Sequence, residues 1–180
     1  MRVISGKYRG MVLAEFKGKD IRPTADRVKE SLFNILFSEV AGARVLDLFC
    51  GSGSLGIECL SRGASYVHFN DISSASIAVL KKNLARLNEN NFTVTVSDWR
   101  DCLLGLRCPF NIIFIDPPYA DGSGFKALEM IGKRRLLAGQ GVAVYERDRA
   151  FSGVVEGLEL FDERRYGKTY LSFFKTISGN

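Results

Sequence analysis

Apolar positions along this 180-residue chain switch repeatedly between a period of two and a period of 3.6, and the switches outline a fold. The opening segment, Arg2 to Phe16, has short apolar runs at Val3-Ile4 and Met11-Val12-Leu13 around Gly6 and Gly10, which predicts a small antiparallel hairpin with a basic loop. Val28, Leu32, Ile35 and Leu36 then share one face of a helix running to about Glu39, with Thr24 placed to cap it beside Pro23. Strands and helices alternate from there: strand Arg44 to Phe49, helix Leu55 to Arg62, strand Tyr66 to Asn70, helix Ala75 to Leu87, strand Phe92 to Val96. A short helix around Cys102 to Leu106, strand Asn111 to Ile115, helix Phe125 to Leu136 and strand Val142 to Tyr145 follow. This spacing predicts parallel pairing through right-handed crossovers, with helices on both faces of the sheet. Leu158 to Tyr166 and Thr169 to Lys175 flank Gly167-Lys168 as a closing hairpin that adds an antiparallel strand. The expected fold class is α/β, a doubly wound, seven-stranded, mostly parallel, Rossmann-like sheet. It forms one domain over 1–180, with a basic hairpin and helix as an extension over 1–40 and the sheet over 41–180.

Composition sharpens this picture at few points. With 46% hydrophobic and 25% charged residues the chain reads as a single globular domain, and at this length about 70% of the unfolded surface can be buried without disulfide or metal staples. The formal charge of +5 is uneven: residues 1–35 hold eight basic side chains against four acidic ones, while the remaining 145 are close to balance. That excess points to an anionic partner met by the N-terminal segment. No run of about 18 apolar residues is present and no apolar signal core follows the basic start, so a cytoplasmic chain without membrane contact is expected. The four cysteines, Cys50, Cys59, Cys102 and Cys108, form no CxxC pair, and His68 is the single histidine, so no metal is expected. His68 lies within apolar Val67-His68-Phe69 and reads as a packed ring, which leaves histidine-based triads unsupported.

In a doubly wound sheet, ligands bind beyond the carboxyl ends of the strands where their order reverses. The first such end carries Asp47-Leu48-Phe49-Cys50-Gly51-Ser52-Gly53-Ser54-Leu55-Gly56, a G-x-G-x-x-G between strand and helix. Glycines there let the backbone approach a ligand, and a helix N-terminus supplies free N–H groups, features that suit both NAD and S-adenosylmethionine. Asp47 separates the two: a carboxylate repels a pyrophosphate and attracts a cationic methionyl end. Asp71, twenty residues after Gly51, can accept both ribose hydroxyls of either cofactor. Asp98-Trp99 follows the third strand where an adenine-contacting loop would lie. Asp71 and Asp98 also read as helix N-caps or exposed loop acids.

The fourth strand end, Ile115-Asp116-Pro117-Pro118-Tyr119, is the most specific feature. A long apolar run predicts a central buried strand, so an acid at its end needs a reason. The two prolines fix two φ angles and keep Asp116 and Pro117 extended, so that the carboxylate and the Pro117 carbonyl become fixed acceptors. Gripping the two N–H bonds of an exocyclic base amine would aim its delocalised lone pair at a sulfonium methyl, catalysis by orientation and electrostatics. Tyr119 can stack on the extruded base. An NAD-dependent oxidoreductase is disfavoured by Asp47 and by the lack of a hydride-transfer acid. A cysteine-dependent cytosine-C5 methyltransferase using Cys108 or Cys50 is disfavoured because Cys108 precedes its strand and Cys50 suits a packed turn. The motif grips any –NH₂, so guanine N2 and adenine N6, in RNA or DNA, both stay open, although 180 residues leave no room for a separate duplex-recognition domain.

Asp-Pro-Pro-Tyr after a Gly-x-Gly loop resembles the amino-methyltransferases of the class I S-adenosylmethionine-dependent fold. Nearly the whole chain resembles the bacterial 16S ribosomal RNA guanine-N2 methyltransferases of the RsmD type. The likeness is carried by Arg2-Val3-Ile4-Ser5-Gly6-Lys7-Tyr8-Arg9-Gly10, Arg22 through Asn34, Leu46 through Gly53, Leu55-Gly56-Ile57-Glu58, Ser61-Arg62-Gly63-Ala64, Asp116 through Tyr119 and Tyr166-Gly167-Lys168-Thr169. It implies that Asp116, Pro117, Pro118 and Tyr119 form the catalytic segment and that Asp47, Phe49, Gly51, Gly53, Leu55, Asp71, Ile72, Asp98 and Trp99 hold S-adenosyl-L-methionine. Arg22 and Arg27 would lie near the site entrance and, with Arg2, Lys7 and Arg9, meet RNA. The implied partner is ribosomal RNA or the small-subunit particle, approached by a monomer. Two positions depart from the pattern: Asp71 stands where glutamate is commoner, and Trp99 is bulky enough that its adenine contact is better assigned to backbone.

Overall fold

A computed structural model describes residues 1–15, 23–118 and 122–177 of the chain. Its elements run α1 (Pro23–Ile35), β1 (Arg44–Asp47), α2 (Ser54–Ser61), β2 (Tyr66–Asp71), α3 (Ser74–Leu84), β3 (Phe92–Val96), α4 (Trp99–Gly105), β4 (Phe110–Ile115), α5 (Ser123–Lys133), β5 (Leu137–Arg147), β6 (Leu158–Tyr166) and β7 (Thr169–Thr176). The seven strands form one sheet in the order β3-β2-β1-β4-β5-β7-β6, with β1 to β5 parallel and β7 antiparallel to both its neighbours. The order reverses between β1 and β4, where Leu46 lies beside Ile113 and Asp47 beside Phe114.

Burial explains which strands are central. Ile112, Ile113, Phe114 and Ile115 of β4 are all buried, because both faces of the sheet are covered there. Phe33, Phe69, Leu80, Phe114 and Phe173 belong to the core under α1, α2 and α3, and Leu48, Leu103, Leu128, Ile131 and Phe174 to the core under α4 and α5. Ile35, expected on the buried face of the first helix, is exposed; Phe33 fills the core instead, 6.1 Å from the ring of Phe114. β5 begins at Leu137 rather than Val142, because a register shift between Phe110 and Ile112 carries pairing into the glycine-interrupted stretch before Val142. α4 begins at Trp99 rather than near Cys102 because Asp98 caps it, its side chain accepting from the Arg100 N–H. The expected cap at Thr24 and the end of the first hairpin at Phe16 lie outside the described residues and side chains. No helix among the described residues is long and apolar enough to cross a membrane.

The N-terminal hairpin forms as a narrow ribbon. Val3 N–H bonds the Met11 carbonyl, Gly10 N–H the Val3 carbonyl and Leu13 N–H the Met1 carbonyl, around an Arg2–Val12 bridge. It lies along α2 as a strap. Ser54 Oγ meets Met1 Sδ at the helix start, Ile4 and Ser5 N–H groups donate to Glu58 one turn later, and Lys7 and Tyr8 N–H groups bond Ser61 at the far end. Asn83 of α3 secures the returning strand, exchanging two bonds with the backbone of Ala14.

Candidate active site

The loop between β1 and α2 is tied at almost every residue. Cys50 N–H bonds the Asn70 carbonyl (2.9 Å), Gly51 N–H bonds Asp71 Oδ2 (2.8 Å), Gly53 N–H bonds the Cys50 carbonyl (2.7 Å) and Gly56 N–H bonds Asp47 Oδ2 (3.0 Å). From the other side the Asn70 amide donates to the Leu48 and Ser97 carbonyls, and the Asn83 amide donates to the Ser52 carbonyl. Gly53 sits at φ 84° just before the helix, and a Cβ there would lie 2.2 Å from a Leu80 methyl, so both backbone and packing demand glycine. At Gly51 the corresponding direction is open, which leaves a face of the loop for a ligand. The result is a rigid backbone cradle on the switch side of β1.

Two carboxylates frame the cradle. Asp47 is 2% exposed, and burial, helped by the nearby Asp71 charge, pushes its carboxyl up to about 7 against the opposing pull of the Gly56 N–H and Lys29. Asp71 accepts backbone N–H groups from Gly51 and, on its other oxygen, Ser73 (2.8 Å). A carboxylate offers about four acceptor positions, so capacity for further donors is left on both oxygens. The pair makes the cradle acidic, which suits a ligand with cationic groups, whose charge would favour the ionised form of Asp47, and opposes a pyrophosphate.

The remaining residues expected around a cofactor fall into two sets. Ile72 is exposed at 71% just past β2, while Phe49 and Leu55 are partly buried at the two ends of the loop. Asp98 is engaged as the α4 cap, bonding the Arg100 N–H at 2.8 Å and pairing with its guanidinium. Trp99 is buried in the core under α4, which leaves only backbone of this segment to face a ligand.

Asp116 and Pro118 are exposed just past the end of β4, and Pro117 is buried between them. Gly124, at the start of α5, lets Pro117 and Tyr145 pack against its backbone; a Cβ there would come within 2.7 Å of Pro117 and 2.4 Å of Tyr145. Since Asp47 and Phe114 are register neighbours, Asp116 stands two residues beyond the level of Asp47 on the adjacent strand. Adjacent strands are about 4.8 Å apart, so cradle and acceptor segment form one site. Tyr119 and Arg22 lie outside the described residues.

The basic residues expected to meet RNA do not gather in one place. Arg27 is exposed in the first turns of α1, which runs alongside α2 with Lys29 against Glu58 and Phe33 under Arg62, so its N-terminus lies toward the start of α2 on the carboxyl side of the sheet. Lys7 and Arg9 are carried to the opposite side by the strap, where Lys7 pairs with Glu89 (2.8 Å) ahead of β3. Arg2 is exposed on the ribbon, its carbonyl accepting from Lys29. Lys29, counted in the N-terminal charge excess, is buried against Glu58 at 3.0 Å. Burial pushes the Cys50 and Cys59 thiols up, the neighbouring Asp47 charge adding to it, and Cys102 up to about 11, so none of these three is an activated nucleophile. His68 is held at 3.0 Å from Thr95 Oγ1 and is pushed down by burial, a packed ring as its sequence context suggests. Sequence reasoning missed Asn70 and Asn83, which tie the cradle backbone, and Glu58, which anchors the strap; a polar residue inside an apolar strand was the available signal for Asn70.

Known proteins share this fold and much of this sequence. The family described as Conserved hypothetical protein 95 matches residues 1–175. The Bacillus subtilis protein named "Putative rRNA methyltransferase YlbH" is 36% identical over 97% of this chain and 98% of its own. Ribosomal RNA small subunit methyltransferase D of Escherichia coli K12 is 36% identical over 82% of this chain and 75% of its own. A solved Escherichia coli structure, "Putative methyltransferase yhhF", superimposes with a TM-score of 0.89 at 32% identity, covering 98% of this chain and 97% of that one. The chain belongs to the Conserved hypothetical protein 95 family, the RsmD-type family in which ribosomal RNA small subunit methyltransferase D also falls.

Proposed function

We propose that this chain is an S-adenosylmethionine-dependent methyltransferase that modifies the exocyclic N2 amine of a guanine in small-subunit ribosomal RNA. The observation that carries the reading is the juxtaposition, across the β1–β4 switch, of the anchored glycine cradle with the rigid Asp116-Pro117-Pro118 segment. The names of the similar proteins, two of which specify ribosomal RNA, support the substrate class.

The residues present fit the cofactor. A buried acid beside a second acid at an open glycine face suits a molecule whose methionyl end is cationic, and Asp71 has acceptor capacity for ribose hydroxyls. When bound, the cofactor supplies an electrophilic methyl on a sulfonium. Asp47, Gly51, Gly53 and Asp71 would hold it, with Phe49, Leu55, Ile72 and the Asp98-Trp99 backbone beside them. The chain's own contribution to the chemistry is orientation: the Asp116 carboxylate and the Pro117 carbonyl accept the two N–H bonds of the base amine. That grip localises the nitrogen lone pair and aims it across the switch toward the cradle. Pro117, packed on Gly124 and Tyr145, and Pro118 hold the two acceptors at a fixed angle. By resemblance, Tyr119 would stack on the extruded base, and Arg22 and Arg27 would meet the substrate. The enzyme acts in the cytoplasm as a monomer.

The direct test is heat denaturation with candidate cofactors. Stabilisation by S-adenosylhomocysteine and none by NADH is expected, and the reverse would end the methyltransferase reading.

A further inference from the structure

The strand registers place a second basic element on the catalytic side of the sheet. Ile115 of β4 pairs with Tyr145, Tyr145 with Ser172, and Ser172 with Glu163. One pleat further toward the carboxyl ends, Arg147 pairs with Tyr170 and Tyr170 with Arg165, in line with Pro117. β6 is antiparallel to β7, and β7 to β5, so the β6–β7 turn points to the same side as the end of β4. Three strand spacings separate β4 from β6, roughly 14 Å.

The segment Arg164-Arg165-Tyr166-Gly167-Lys168-Thr169-Tyr170 carries three cations, two tyrosines and no acid. Arg164, Arg165 and Lys168 are exposed. Arg164 is partly neutralised by Asp162 (2.9 Å), but Arg165 is held ready: its Nε–H bonds the Gly167 carbonyl and its guanidinium lies 5.5 Å from the Tyr170 ring. On the inner neighbour of that row, Arg147 is stacked on Tyr145 and Phe151, each 5.2 Å away. A fixed guanidinium and a lysine flanked by aromatic rings is the chemistry of a polynucleotide contact, with cations for phosphates and π-faces for unpaired bases.

The geometry points to the β6–β7 turn, through Arg165 and Lys168 with Arg147 behind them, as the RNA-docking rim of the site, in place of the Lys7–Arg9 turn. This inference rests on the proposed function, since it assumes an RNA substrate presented to Asp116. The turn is a few nucleotides from the acceptor segment, so it positions the strand that carries the target base without reading that base. The Lys7–Arg9 turn, strapped to the far end of α2, presents similar charge to the opposite side.

Two variants of equal charge change separate the alternatives: Arg165→Gln/Lys168→Gln and Lys7→Gln/Arg9→Gln, both made in the full chain. Each is assayed for binding and methylation of small-subunit ribosomal RNA across salt concentrations, and for S-adenosylhomocysteine affinity. The turn variant is expected to bind RNA roughly tenfold more weakly, with a log–log salt slope shallower by about 1.4 to 1.8 for two lost phosphate contacts. Its KM for RNA rises, while kcat at saturation and cofactor affinity stay at wild-type values. The Lys7/Arg9 variant is expected to match wild type in all five. Equal RNA affinity in the turn variant and wild type, with cofactor binding intact, would overturn the inference and leave the proposed function standing. So would a loss confined to the Lys7/Arg9 variant. Wild-type protein that binds the cofactor but neither binds nor methylates this RNA would overturn both.

Discussion

Asp47 is held in a state the isolated side chain would not choose. Buried beneath the glycine cradle, it ionises near 7 in the folded chain and near 3.8 when exposed. Between those values the folded state binds a proton that the unfolded state does not, so stability falls as pH rises from about 4 to about 7 and is level above, a loss on the order of 4 kcal/mol. Asp47→Asn keeps an oxygen for the Gly56 N–H and abolishes that titration. In urea melts the variant is expected to be the more stable protein, with a gap that opens between pH 4 and 7 and stays constant above. The same variant should lose at least tenfold in S-adenosylmethionine affinity, since the negative charge that burial disfavours attracts the cation. A flat gap across that pH range would show that the carboxyl is not displaced. Asp116 is the opposite case, exposed and placed for chemistry: Asp116→Ala should lower kcat by about a hundredfold or more while calorimetric cofactor affinity is unchanged. Cys50→Ser should retain most activity, because a buried thiol kept protonated beside two acids takes no part in transfer.

At the scale of elements, α1, α2 and the N-terminal strap share one buried ion cluster. Glu58 is fully buried and accepts from Ile4 N–H, Ser5 N–H, Lys29 Nζ and Arg62 Nε, all within 3.0 Å. Removing one partner of such a cluster leaves charge and amides unpaired. Glu58→Ala is expected to cost about 3–5 kcal/mol in denaturant melts, with part of the loss recovered when Lys29→Met is added. Strictly additive effects would mean the two residues act independently. This cluster also marks where sequence reading ended. The glycine loop and Asp-Pro-Pro were legible because positive φ, fixed φ and missing N–H groups are demands written into adjacent residues. Glu58, Asn70 and Asn83 looked like ordinary polar residues because most of the partners that give them meaning are 22 to 69 positions away. Lys29 was counted as free charge for the same reason, and Asp98 carried both a cap reading and a ligand reading because an acid before a helix suits either.

Across the whole molecule, the strand order brings the glycine cradle, the Asp116-Pro117-Pro118 segment and the β6–β7 turn to one side of the sheet, while the strap carries Lys7 and Arg9 to the other. Net charge pointed to an anionic partner; which surface faces that partner depends on strand direction, which a count of lysines and arginines does not contain. The whole-molecule expectation is an enzyme that receives an already folded target and grips one exposed base by its amine. The grip itself does not distinguish guanine from adenine, so base identity must be read directly from the product. The most direct measurement is nucleoside mass spectrometry of small-subunit ribosomal RNA incubated with this protein and S-adenosylmethionine. N2-methylguanine that disappears with Asp116→Ala is the predicted result; N6-methyladenine, or no methylated nucleoside at all, would contradict it.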